Sequence, residues 1–159
     1  MNTAHLHLIL NHVPVLGTAF GLAVLVWGLW QRSDDIKRLA LALLTVTALS
    51  AIPAYLTGEP AEGAVKGMAD VAGNLIERHE EAAGVAVAGA LVMGAFAVVG
   101  LVAFRRQRTV PSWFGVTTLL GAVAVSGLMA WAANLGGQVH HPEIRSGMAP
   151  VGQAERHHD

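Results

Sequence analysis

Four apolar stretches of about twenty residues divide this chain, and charged residues lie in each of the three segments between them. They cover residues 8–30, 39–56, 82–104 and 113–135. Each is close to the ~20 helical residues that cross ~30 Å of hydrocarbon. With 13% charged residues and a mean hydropathy of +0.51, the chain is too apolar for an ordinary soluble domain. We therefore predict an all-α fold, with a four-transmembrane-helix bundle over residues 1–144 and a flexible C-terminal tail over residues 145–159.

The distribution of charge between the spans predicts their orientation. Four crossings place both termini on one side of the membrane. The two short loops on the other side carry six basic and two acidic residues, whereas the side of the termini carries four basic and nine acidic residues. Short basic loops stay in the cytoplasm, so we predict that both termini lie on the outer, periplasmic side. The expected location is the bacterial cell inner (plasma) membrane, as a multi-pass protein.

All eight histidines lie on the side that this topology makes the outer one. They are His5, His7, His12, His79, His140, His141, His157 and His158. Histidine is the commonest metal ligand and a usual axial ligand of haem, so this one-sided distribution is typical of a cofactor site. The chain has no cysteine, which excludes thiolate zinc sites, iron–sulfur clusters and covalently attached c-type haem. We expect His157 and His158 to be solvent-exposed and without a role.

His12 is the strongest ligand candidate, because it lies inside the first apolar stretch and shortly before Pro14. An ionisable side chain at such a depth indicates a functional site. The alternative is a structural histidine that hydrogen-bonds a carbonyl freed by the proline. His79, at the start of the third span, is predicted to lie opposite His12. Its neighbouring carboxylates either fix the imidazole tautomer or belong to a solvated helix end.

His7 and one histidine of the pair His140 and His141 are the predicted partners of these two ligands. Gly136 and Gly137 are predicted to end the fourth helix as a C-cap, after which the chain turns at the outer surface. Because adjacent side chains point in different directions, one of His140 and His141 is expected to face the site.

Glycine and proline patterns add two further expectations. The third and fourth spans contain Gly84, Gly89, Gly94, Gly100, Gly115, Gly121 and Gly127. Such glycines let membrane helices approach closely, or alternatively clear space for a flat macrocycle. The segment after the second span, with Gly58, Pro60 and Gly63, is predicted to be irregular. From Asp70 onwards we expect a helix that continues into the third span.

Short motifs built from histidine, proline and glycine occur at the predicted outer ends of the spans. They are Leu6-His7 with His12 and Pro14-Val15, then Leu56-Thr57-Gly58, then His79, and finally Gly136-Gly137 with His140 or His141. In these motifs the sequence resembles a bacterial family of four-helix integral membrane proteins, classed as domain of unknown function 2231. The resemblance extends over nearly the whole chain. It implies the four-helix fold and functional histidines at these positions, and it implies no particular reaction.

The leading hypothesis is a membrane cytochrome b-like protein that holds haem b near the outer face for electron transfer. Haem b needs two axial imidazoles from facing helices, which His12 and His79 would provide, and it also needs an apolar cavity. Either one haem binds, or two bind close together if His7 and His140 also pair. Its redox partner is then a quinol or a periplasmic electron carrier. Whether the chain is itself an enzyme or only an electron-transfer subunit stays open.

Two other hypotheses stay open at this stage. One is a non-haem site for zinc, copper or iron, for which imidazole and carboxylate ligands are suitable. Its ligands would be His7, His12, His79 and His140 with Glu80 or Glu59. The other is an accessory or scaffold subunit of a larger membrane complex. Under each hypothesis we expect the lipid bilayer as a partner, a homodimer or a larger membrane assembly, and no nucleic acid.

Overall fold

A computed structural model describes residues 3–65, 73–107 and 109–141 as a helical bundle. Its helices are α1 (Thr3–Trp30), α2 (Asp34–Leu56), α3 (Gly58–Val65), α4 (Gly73–Ala103) and α5 (Ser112–His140). All of these except the short α3 are long and apolar enough to cross a membrane. The prediction of an all-α, four-helix bundle is therefore confirmed. The predicted tail, with His157 and His158, lies outside the described residues.

The four long helices form a ring. Helix α1 packs on α2 and α5, and α4 also packs on α2 and α5, so α1 and α4 stand at opposite corners. Helices α1 and α4 begin, and α2 and α5 end, at the same end of the bundle. We call this the histidine end, formed by residues 3–12, 51–63, 73–83 and 132–141. The opposite end carries the connections 31–33 and 104–111, and we call it the loop end.

The segment after α2 differs from the sequence prediction. It was expected to be irregular, but residues up to Val65 form α3. Pro60 is tolerated because it lies in the first turn of that helix, where backbone N–H groups have no intrahelical acceptor. Ala61 N donates to Thr57 O over 3.2 Å, which joins α3 directly to the end of α2. The short helix α3 thus follows α2 directly at the histidine end.

The end of α5 also differs from the prediction. Gly136 and Gly137 do not cap the helix, which continues to His140, and His141 N still donates to Gly137 O over 3.0 Å. A glycine inside a helix costs about 1 kcal/mol relative to alanine, which packing can offset. Here Val139 packs into a buried cluster with Leu75 and Ile76 of α4. This contact keeps the last turn of α5 helical.

Aromatic side chains mark two levels along the bundle. Trp27, Trp30 and Trp113 are exposed near the loop end, whereas Tyr55 and Trp131 are exposed towards the histidine end. On α5, Trp113 and Trp131 are separated by five helical turns, roughly 27 Å, which is close to the thickness of the hydrocarbon core. Exposed aromatic residues at these two levels are typical of the two interfaces of a membrane.

An ion pair between a buried lysine and a partly exposed aspartate holds the loop end together. Lys37 Nζ is 2.7 Å from Asp34 Oδ1 and donates to Val110 O over 3.2 Å. Val110 N donates to the same Asp34 oxygen over 2.9 Å. Lys37 is only 7% exposed. The first turn of α2 and the connection before α5 are thus joined by two charged and two backbone groups.

Candidate functional site

The histidine end contains a cavity of about 550 Å3 that is lined by residues from all five helices. Four imidazoles reach it, from His7, His12, His79 and His141. Much of the remaining wall is made of small alanine side chains: Ala51, Ala54, Ala83, Ala86, Ala132 and Ala133. The glycines of the third and fourth spans do not line it. Gly94 instead packs against Ala48, and Gly121 against Met93, so their role is close helix packing.

His7 connects α1 to the end of α2. Its Nδ1 lies 3.0 Å from Ala54 O and 3.2 Å from Thr57 Oγ1, and the ring is partly buried. The last turn of a helix offers carbonyls that lack a full set of intrahelical partners. Because a carbonyl oxygen can only accept, Nδ1 carries the proton and Nε2 carries the lone pair. In its neutral form, His7 therefore has Nε2 as its acceptor nitrogen.

His79 connects α4 to α5 in the same way. Its Nδ1 donates to Ala132 O over 2.9 Å. The ring reaches this carbonyl because residue 136, one turn further along α5, is a glycine. A Cβ at Gly136 would lie 2.9 Å from Cε1 of His79 and 3.2 Å from its Nδ1. Gly136 thus provides the space in which the His79 imidazole packs, and the Nε2 of that ring carries the lone pair.

His12 lines the cavity but is exposed at its edge. Its Nδ1 donates to Leu8 O over 2.6 Å, within α1 itself. His12 therefore bonds a carbonyl, but not the one that the structural alternative predicted. The acceptor is not the carbonyl that Pro14 frees, which is that of Leu10 four residues earlier. As in His7, the bond leaves the lone pair on Nε2.

The three rings share an arrangement that is common among metal-binding histidines. In such sites one ring nitrogen donates to a carbonyl or carboxylate, which orients the ring and makes the other nitrogen a better ligand. Here the donating nitrogen is Nδ1 in His7, His12 and His79. His7 and His79 stand on the opposite-corner helices α1 and α4.

The other predicted ligands differ in whether they reach the cavity. Glu80 and Glu59 are exposed and lie outside its wall. His141 lines the cavity with an exposed side chain, whereas for His140 only the backbone, as the last residue of α5, is described. His5 is exposed and does not reach the cavity. Within residues 3–65, 73–107 and 109–141, no three His, Cys, Asp or Glu side chains form a group that could hold a metal ion.

Sequence reasoning missed several residues of this site. Asn11 and Tyr55 line the cavity, and Thr57 contacts His7. Asn11 is a polar residue at the edge of the first apolar stretch, which was a signal that could have identified it. Tyr55 was visible only as an interfacial aromatic residue, and nothing in its local sequence indicated a cavity.

Compared with known proteins, the chain matches no family model, no curated protein and no solved structure. The resemblance in short motifs therefore stays an expectation. Eight of the residues that carry it line the cavity: His7, His12, Pro14, Val15, His79, Gly136, Gly137 and His141.

Proposed function

We propose that this chain is a membrane cytochrome b-like protein that binds haem b in the cavity at the histidine end. His79 of α4 and His7 of α1 would hold the haem iron. The observation that carries the proposal is the pair of oriented imidazoles on opposite-corner helices that line one apolar cavity. Bound haem would supply a one-electron redox centre for electron transfer.

The residues of the cavity are suited to this group in size and in chemistry. Its volume of about 550 Å3 lies within the range of roughly 300–1,000 Å3 that is usual for ligand and cofactor pockets. Two imidazole ligands are sufficient for haem, whereas a non-haem zinc, copper or iron site needs three or more side chains. No such group of three exists among the described residues. The haem proposal is therefore the better supported of the two.

The choice of His7 differs from the pair His12 and His79 that the sequence favoured. His7 and His79 are both partly buried and are each anchored to a neighbouring helix. His12 is exposed at the edge of the cavity and bonds only its own helix. A ligand that is anchored across two helices keeps its orientation better, which favours His7. His12 is the alternative ligand that the experiment below must test.

Each part of the chain has a defined task in this proposal. Ala54 O and Ala132 O hold the two rings in the tautomer that leaves Nε2 available. The alanine wall would limit the access of water to a bound haem, and solvent access together with hydrogen bonding to the ligands is what tunes a haem potential. The bundle as a whole keeps the centre close to one membrane surface.

The direct test is the absorption spectrum of the detergent-purified protein. We expect a Soret band with sharp α and β bands on reduction, because both axial ligands are imidazoles. His79→Ala and His7→Ala should each lose these bands. His5→Ala is the matched control, because His5 lies on the same helix as His7 but outside the cavity, and it should keep the full spectrum.

Two results would contradict this assignment. A colourless protein, expressed with adequate haem supply, would overturn the haem proposal. Loss of the bands in His12→Ala with full retention in His7→Ala would instead establish the pair His12 and His79.

We also propose that the histidine end faces the periplasm across a bacterial inner membrane, because the two connections of the opposite end and the start of α2 together carry six basic residues. The absence of cysteine allows a clean labelling test. Glu80→Cys at the histidine end should react with a membrane-impermeant maleimide in intact spheroplasts. Arg105→Cys at the loop end should react only after lysis. Both positions are exposed, and the reverse labelling pattern would invert the topology.

A further inference from the structure

The exposed residues that line the cavity indicate that it opens sideways between α1 and α5. On α1, its outer rim is Leu8, His12 and Leu16, which follow one another at intervals of four residues and are all exposed. On α5, the facing rim is formed by residues with the same spacing: Ala133, Gly137 and His141. We call these six residues the lateral opening.

The position of the lateral opening follows from the contacts of the two helices. His7 contacts α2, and on a helix the His12 side chain lies about 140° around the axis from His7. The rim of α1 is therefore on the side away from α2. Likewise Ala132 and Gly136 contact His79 of α4, and Ala133 is about 100° further round the helix. Both rims thus border the seam between α1 and α5, whose outer side faces lipid.

The lateral opening lies at the boundary between hydrocarbon and head groups. Trp131, an exposed interfacial aromatic residue, is two positions before Ala133 on α5. On α1, Leu16 is 65% exposed and Leu8 is 50% exposed, so apolar side chains flank His12 on both sides. A molecule that enters the cavity here comes from the bilayer, and its polar part is at the level of His12.

The chemistry of His12 defines what such a molecule must offer. A histidine on a lipid-facing surface is costly unless it has a partner or a role. Its one hydrogen bond within the described residues leaves the proton on Nδ1, so Nε2 is an acceptor. The complementary group is a hydroxyl donor on an apolar ring. A ligand with only carbonyl acceptors would find no donor on this imidazole.

We infer that the lateral opening binds the ring of a quinol from the lipid phase, with one quinol hydroxyl donating to Nε2 of His12. The role of the quinol rests on the proposed function, because the quinol would be the electron donor to the haem. The binding itself requires only the six residues of the opening, so the two proposals can fail separately. A water-soluble carrier protein would use the aqueous face and would not need a lipid-facing acceptor.

The test uses two redox-inert probes that differ only in the hydroxyl donor, 4-decyloxyphenol and its methyl ether. The dithionite-reduced protein, labelled with 15N-histidine in lipid nanodiscs, is titrated with each probe, and the Nε2 resonance of His12 is followed. We expect the phenol to shift this resonance and to bind about five- to tenfold more tightly than the ether, the gain of one hydrogen bond of ~1 kcal/mol.

Variants separate the acceptor from the shape of the opening. For His12→Leu, binding of the two probes is measured from the remaining cavity histidine resonances, and the preference for the phenol should vanish. Ala133→Leu should weaken binding of both probes because it narrows the rim of α5. Ala130→Leu is the matched control, because Ala130 is exposed on the same helix but does not line the cavity.

An unchanged phenol preference in His12→Leu, or equal binding in Ala133→Leu and Ala130→Leu, would overturn the inference. Absence of haem bands with the expected probe binding would overturn the proposed cytochrome function and leave the quinol site standing. Haem bands without any preference for the phenol would overturn the quinol site and leave the proposed cytochrome function standing.

Discussion

A single added methyl group at position 136 should displace the His79 imidazole and lower the affinity for haem about 10- to 100-fold, the usual effect of losing a hydrogen-bonded support of a metal ligand. In Gly136→Ala the new Cβ would lie 2.9 Å from Cε1 of His79. The ring must move, and its hydrogen bond to Ala132 O is then lost. Helix propensity acts in the opposite direction, since alanine favours the helix by about 1 kcal/mol over glycine. We therefore expect haem binding to fall while the stability of the apoprotein changes little.

Gly58→Ala is the matched control for this effect. Gly58 is also at the histidine end and also lies beside a ligand ring, but a Cβ there would be 3.6 Å from Cε1 of His7, an ordinary van der Waals distance. This variant should keep the haem content of the parent protein. The Nδ1–H resonance of His79 gives a readout that needs no haem, and it should be lost or shifted in Gly136→Ala only. Equal haem affinity in the two variants would show that Gly136 does not support the ring.

Gly136 also shows why the sequence predicted the fold better than its details. Hydropathy identified all four spans, because lipid requires each crossing segment to be a continuous apolar helix. The glycine pair was interpreted as a helix end, which is the usual meaning of glycine after an apolar stretch. The decisive contact, Val139 against Leu75 and Ile76, joins residues far apart in the sequence. A local sequence pattern does not reveal such a long-range contact.

The candidate site was predicted in its location and only partly in its arrangement. The sequence placed histidines of the first and third spans at one end of the bundle, and His7, His12 and His79 do line one cavity there. An apolar stretch indicates how deep a residue lies along a helix, but not which neighbour it faces. His12 was therefore ranked first for its depth, although it is exposed at the rim, while His7 reaches across to Ala54.

Lys37 is the residue for which sequence and structure differ most. In the sequence it is one of the basic residues that indicate orientation, which suggests a solvated side chain. In the structure it is buried, and its ammonium group contacts Val110, which is 73 positions away in the chain. The close pairing of α1 with α2 contributes to this burial, because a Cβ at Gly28 would lie 2.9 Å from Lys37 N. Because the Lys37 charge is buried, its removal should lower the free energy of unfolding of the bundle.

Lys37→Met should destabilise the bundle by about 2 kcal/mol, the middle of the range for leaving partly buried polar groups without their hydrogen-bond partner, with a Tm lower by roughly 4–8 °C. Methionine retains most of the apolar volume, so the loss comes from Asp34 and Val110 O, which keep their polar atoms without the ammonium group. Unfolding is measured in detergent by circular dichroism.

Asp35→Asn is the control, because the Asp35 side chain is 96% exposed at 3.4 Å from Arg38, and screening by solvent leaves such a pair with little energy. The double variant Asp34→Asn with Lys37→Met should lose less stability than the two single losses added together, since each single change strands the other partner. Additive losses would show that the ion pair does not hold α2 to the start of α5. A Lys37→Met protein as stable as Asp35→Asn would show the same.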